Sequence, residues 1–202
     1  MDQEINKLDL SEKTSLLLKL ATSQLHDEVE KVNIMSKNKP TLDDYIHYLK
    51  VLFKIIIPLE KNLLNFDDWK KYHFKFNLSK RVHHLMMDLH NLNVNKDEII
   101  FSNKLPKIDS FEKALGIYYV LEGSSLGGQI LFQKMLLIYG DKLDNKLNYL
   151  YGFGKETFKD WKIFIDNMND FGNINFEKKL DIINSAIETF QCFIYEFNSS
   201  IK

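Results

Sequence analysis

This 202-residue chain has little of several things: one cysteine (Cys192), three prolines, eight glycines and a single arginine, Arg81. A lone cysteine excludes an intrachain disulfide and a Cys-rich structural zinc site, and fits a reducing, cytoplasmic setting. So few backbone breakers cannot serve many short strands and tight turns, so the expectation is an all-α chain. With one arginine among 27 basic residues, an anion site must rely mainly on lysine, which lacks arginine's bidentate fork. Net charge is -1 and no like-charge block exceeds three residues, so the field that holds a polyanion is missing and no nucleic-acid partner is expected. Asp2, Glu4, Lys7, Asp9, Glu12 and Lys13 interrupt any signal-peptide apolar region, so no export address is expected. Also absent are a P-loop, a strand-linked Gly-x-Gly-x-x-Gly and any Glu-x-x-His pair of the di-iron bundles.

What is present is ordinary for a folded protein, with 45% hydrophobic and 27% charged residues. A chain of this length hides about 70% of its surface on folding, enough for one core, and no repeat or linker divides residues 1–202. A single domain is expected. Apolar residues at helical spacing predict a first helix from about Asp9, read as the start of a capping box with Glu12, to Asn33. A second opens at Thr41 and bends at Pro58 on its way to about Asn65. A short helix over Asp67 to Phe76 and another over Ser79 to Leu92 precede a loop through Pro106. Asp109 or Ser110 then caps a long apolar helix that Gly140 stops, and Tyr151 to Gly154 makes a further break. Lys155 to Phe171 and Phe176 to about Asn198 complete the set.

Two features stand out chemically. In Leu121-Glu-Gly-Ser-Ser-Leu-Gly-Gly-Gln-Ile-Leu131, Gly123, Gly127 and Gly128 lie inside a good helix, each at about 0.5–1 kcal/mol relative to alanine. Gly123 and Gly127 share a face, which admits either a neighbouring helix or a flat ligand close to the backbone. A membrane dimer motif is disfavoured because Glu122, Gln129, Gln133 and Lys134 break the apolar run. His26 sits beside the apolar stripe of the first helix, with Thr22 one turn before and Glu30 one turn after. It is either a packed or surface histidine or a metal ligand whose other nitrogen is oriented by a neighbour. His47, His73, His83, His84 and His90 build no metal cage by spacing, although His84 and Asp88 are one turn apart.

Together these segments resemble haem oxygenase. Leu20-Ala-Thr-Ser-Gln-Leu-His-Asp-Glu-Val-Glu30 is similar to the family's first-helix pattern, in which the histidine is the axial iron ligand, and His26 falls on that position. Leu121 to Leu131 resembles the glycine-rich distal helix, and its wording is closest to the bacterial, biliverdin-producing branch. The resemblance implies an all-α, single-domain bundle with haem between the first helix and a glycine-kinked distal helix. It implies that haem is cofactor and substrate, opened by dioxygen to biliverdin, carbon monoxide and ferrous iron. Electrons would come from a ferredoxin, flavodoxin or flavoprotein reductase.

The resemblance also implies distal roles for Gly123, Ser124, Gly127 and Gly128, and haem contacts for Thr22, Glu30 and Tyr118. Lys19, Lys159 and Lys162 become candidates for the propionates; Phe190 and Phe193 become candidates for the macrocycle edge. The alternative for the lysines is a solvated charge, and for the aromatics plain core. Where the animal enzymes carry a distal aspartate, this chain has Ser124, so proton delivery must be organised differently, unless Ser124 only bonds its own helix or points into solvent. Two rival functions remain: a haem carrier or sensor of the same fold, and a thiaminase-like bundle with Cys192 as nucleophile.

Overall fold

The structure is a computed structural model that describes residues 8–75 and 77–199. Eight α-helices and no strand form the described residues: α1 (Thr14–Val32), α2 (Leu42–Leu63), α3 (Asp68–Lys71), α4 (Leu78–Asn91), α5 (Phe111–Tyr139), α6 (Asn148–Tyr151), α7 (Glu156–Ile174) and α8 (Lys179–Ser199). The expected short helix ending at Phe76 contracts to α3, and Phe76 itself lies outside the described residues, as do Asp2, Glu4 and Lys7.

α1 starts five residues later than the spacing suggests. Asp9 caps only a turn, taking the Ser11 N–H at 3.0 Å. The carbonyls of Leu10 and Glu12 are claimed by the buried Lys179 ammonium at 2.9 and 2.8 Å, so they cannot serve a helical ladder. At α2 the sequence signal holds: the Thr41 hydroxyl accepts the Asp44 N–H, and the Asp44 carboxylate accepts the Thr41 N–H. Pro58 lies inside α2 and cannot donate to the Lys54 carbonyl, which accepts the Ser102 N–H at 3.1 Å instead. The loop after α4 is thereby fastened to α2.

Ser110 caps α5, accepting the Lys113 N–H, while Asp109 pairs with Lys107 and Lys113. α5 then runs as one uninterrupted helix across Gly123 to Gly128 and ends at Gly140, whose φ of 54° only glycine adopts readily. The break after Tyr151 uses Gly152 and Gly154, both at φ 57°. The spacing had not suggested α6, a single turn just before this break.

α8 is the shared support. α5 and α1 both pack along it, and α7 packs against both of them in turn. Gly116 makes the α5–α8 contact possible, because a Cβ there would collide with the Ile182 carbonyl and the Ser185 hydroxyl. α1 and α5, the two helices carrying the sequence signals, are therefore held at fixed positions by the same neighbours.

Candidate functional site

His26 stands on the rim of α1, one residue past core Leu25, with 59% of its side chain exposed. Its Nδ1 is 3.5 Å from a Glu30 carboxylate oxygen, and its ring meets buried Phe190 of α8 edge-on at 6.1 Å. Asp27 adds a third ligand-bearing group, and donor atoms of the three lie within 4.8 Å of one another, all exposed. Thr22 is buried, and its hydroxyl donates to the Leu18 carbonyl at 2.7 Å. Burial raises the Tyr119 phenol of α5, and the nearby Thr22 hydroxyl partly offsets that. One turn of α1 separates Thr22 from His26, and one turn of α5 separates Tyr119 from Gly123, so the approach of Tyr119 to Thr22 brings the two segments near each other.

The three glycines of α5 have three different surroundings. A Cβ on Gly123 would meet the Trp161 indole of α7 at 3.3 Å, and one on Gly128 would meet the Leu150 carbonyl at 3.4 Å. A Cβ on Gly127 would meet nothing within 4 Å, and that residue is exposed. Gly123 and Gly128 thus serve close packing inside the protein, while only Gly127 leaves open ground beside the backbone.

Ser124 bonds its own helix, donating to the Leu121 carbonyl at 2.7 Å, and also receives a long contact of 3.4 Å from Arg81 Nη1. Arg81 Nη2 donates to Glu122 at 2.9 Å, with the two side chains 5% and 2% exposed. Burial alone would lower the arginine's pKa, but the Glu122 carboxylate more than compensates, so the guanidinium stays charged. Tyr118 is enclosed in the core and accepts the Asn77 N–H at 2.9 Å. Burial and Glu122 both raise the Tyr118 phenol. The side chain facing α1 is that of its neighbour Tyr119.

Lys19, Lys159 and Lys162 are exposed, on α1 and α7, and Lys159 pairs with Glu156 at 3.4 Å. Phe193 lies in the core against Phe197. The His84–Asp88 pairing does not form a metal site: buried Asp88 is consumed by Tyr45 Oη at 2.6 Å and by the N–H groups of Asn148 and Tyr149. Burial lowers His84 and His47, as expected of structural imidazoles.

The sequence reading missed Tyr119, the covering role of Trp161, and the Arg81–Glu122 pair. The last had a signal: a glutamate in an apolar helix requires a cation when buried, and the chain has one arginine to offer.

The described residues contain no helix long and apolar enough to cross a membrane. No curated protein sequence matches the chain. A solved structure titled as NO- and CO-bound heme oxygenase from Neisseria meningitidis shares the fold, with a TM-score of 0.76 at 23% identity over 93% of this chain and 92% of that one. The family model described as heme oxygenase matches residues 12–199, nearly the whole chain, and the protein therefore belongs to the haem oxygenase family.

Proposed function

We propose that this protein binds haem through His26 and opens it to biliverdin, carbon monoxide and ferrous iron, taking electrons from a soluble ferredoxin, flavodoxin or flavoprotein reductase. The observation that carries the reading is the exposed imidazole on α1 flanked by Glu30 and Phe190, in a haem oxygenase family chain whose glycine-bearing helix leaves open backbone at Gly127. These residues fit haem. The space a Cβ would fill at Gly127 is open, and the donor set at His26 suits an iron ligand backed by a carboxylate.

When bound, haem supplies both the oxygen-activating iron and the carbon skeleton that is cleaved. Glu30 beside Nδ1 keeps the proton there, leaving Nε2 as the ligating lone pair. Phe190 against one edge of the ring restricts its rotation. The bare Gly127 backbone would let the macrocycle approach α5 closely. Lys19, Lys159 and Lys162 provide exposed ammonium groups for the propionates, and Gly123, with Trp161 over it, shapes the wall between α1 and α5. The single cysteine accords with a reducing cytoplasm, and the glycine-segment wording with the bacterial branch.

Cys192 argues against a cysteine-nucleophile enzyme. The thiol is 2% exposed, burial pushes it up to about 11, and its neighbour is Ser102 at 3.7 Å. Titration of the purified protein with haemin, followed by reductant under air with catalase present, tests the proposal. A one-to-one Soret complex that yields a biliverdin band is expected; a complex that persists without that band would leave a carrier.

A further inference from the structure

Two glycines of α5 are covered in different ways. At Gly128 the atoms that a Cβ would meet are Leu150 backbone, which cannot withdraw without moving α6. At Gly123 they are Cη2, Cζ3 and Cζ2 of Trp161, at 3.3, 3.5 and 3.9 Å, the outer edge of the indole and the far end of a side chain. A side-chain tip near the surface changes rotamer readily, whereas displaced backbone drags its helix with it.

The two tryptophans differ in the same sense. Trp69 of α3 is 6% exposed, donates its indole N–H to the Leu63 carbonyl at 2.6 Å and is ringed by Phe74, Phe111 and Tyr118. Trp161 of α7 is half-buried, and its N–H finds no acceptor among the described residues and is not enclosed. The contacts that hold it are apolar: the Gly123 backbone and the rings of Tyr119 and Phe164, at 5.3 and 5.9 Å. Moving it breaks no hydrogen bond. Gly127, one turn further along the same face, is already bare. Uncovering Gly123 joins the two into a strip about 6 Å long, four residues at the helical rise. A flat macrocycle is wider than one turn of helix, so Gly127 alone offers it too little open backbone.

We propose that Trp161 is a movable cover of the ligand site: it lies on Gly123 while the site is empty and swings off α5 to admit haem, so that Gly123 and Gly127 become one bare strip. The inference rests on the proposed haem site. While the site is empty the indole shields the glycine backbone from water, as a flat apolar ligand would.

Stopped-flow haemin binding, haemin affinity and apo melting test the cover, on the whole chain and its Trp161→Ala, Gly123→Ala and double variants. A site covered most of the time binds at a rate scaled by its open fraction, so Trp161→Ala should raise the association rate constant by about tenfold. Gly123→Ala alone sets its methyl against the indole, which mixes packing with binding. In the double variant the indole is gone and the two separate. Apo melting should equal or exceed that of Trp161→Ala, while haemin affinity should fall about tenfold or more below it, because the methyl then stands in the strip. If Trp161→Ala fails to fold, Trp161→Phe replaces it, since phenylalanine lacks the outer indole atoms that reach Gly123. An unchanged association rate, or a double variant that binds haemin as tightly as Trp161→Ala, would overturn the cover and leave Gly123 as a seat for the indole. Failure of the unaltered chain to bind haemin would overturn the functional reading, and this inference with it.

Discussion

The two faces of α5 follow opposite rules. Its underside, toward α2, α4 and α6, is closed: Glu122 is matched by Arg81, Tyr118 by the Asn77 N–H, and the adjoining Asp88 by four donors from two segments. Its outer face is open: Gly127 is bare, and Ile130 and Leu137 are exposed. A closed face contributes stability and tolerates no loss of a partner, whereas an open face contributes little to folding and is free to meet a ligand. On the proposed haem reading, stability and function separate along one helix, by angle around its axis.

The sharpest way to break this comparison is at Glu122 and Gly116. Glu122→Ala strands the buried Arg81 guanidinium and should cost the apo-protein about 3–5 kcal/mol. Gly116→Ala drives a methyl into the Ile182 carbonyl and should cost about 1–3 kcal/mol or more. Denaturant unfolding of the apo-proteins measures both, and near-neutral values would mean the underside is not what holds α5.

His26→Ala is the opposite case. It should abolish the nitrogen-ligated electron-paramagnetic signal of the ferric complex while apo stability changes by about 0.5 kcal/mol or less, as for an exposed residue. An intact axial signal would remove His26 from its role.

Gly127 sharpens the comparison within the glycine segment. Gly127→Ala should leave the apo-protein equal or more stable, by up to about 1 kcal/mol, whereas Gly127→Leu should fold but weaken haem binding or stall oxygenation. Gly128→Leu, by contrast, should lose apo stability first, because a Cβ there would already touch the Leu150 backbone. Parallel melting curves and haem titrations separate these outcomes.

The smallest effect concerns Cys192. With its folded thiol raised to about 11 from an ordinary value of 9.0, the native state holds a proton that the unfolded state has released between those limits. Stability should fall as pH rises through that window, and Cys192→Ala should flatten the slope. Native protein at pH 8 should react slowly with a thiol reagent; rapid labelling would contradict its burial.

The sequence by itself determined the helical class, most of the helix limits and the two segments worth watching, because capping, periodicity and breakers act over a few residues. Thr41 with Asp44, Ser110 and Gly140 each ended or opened a helix where local chemistry said they would. It could not determine where α1 begins, since the Leu10 and Glu12 carbonyls are taken by Lys179, nearly 170 residues away. Nor could it tell the three glycines apart. Spacing gives their angles on the helix, but only the arrival of Trp161 and Leu150 from other helices decides that Gly123 and Gly128 are covered and Gly127 is not. Likewise the pattern marked His26 but not Tyr119, and noted Arg81 as solitary without its partner. A side chain's neighbour across helices is fixed by how α8 and α7 pack α1 against α5, and long-range packing leaves no trace in local spacing.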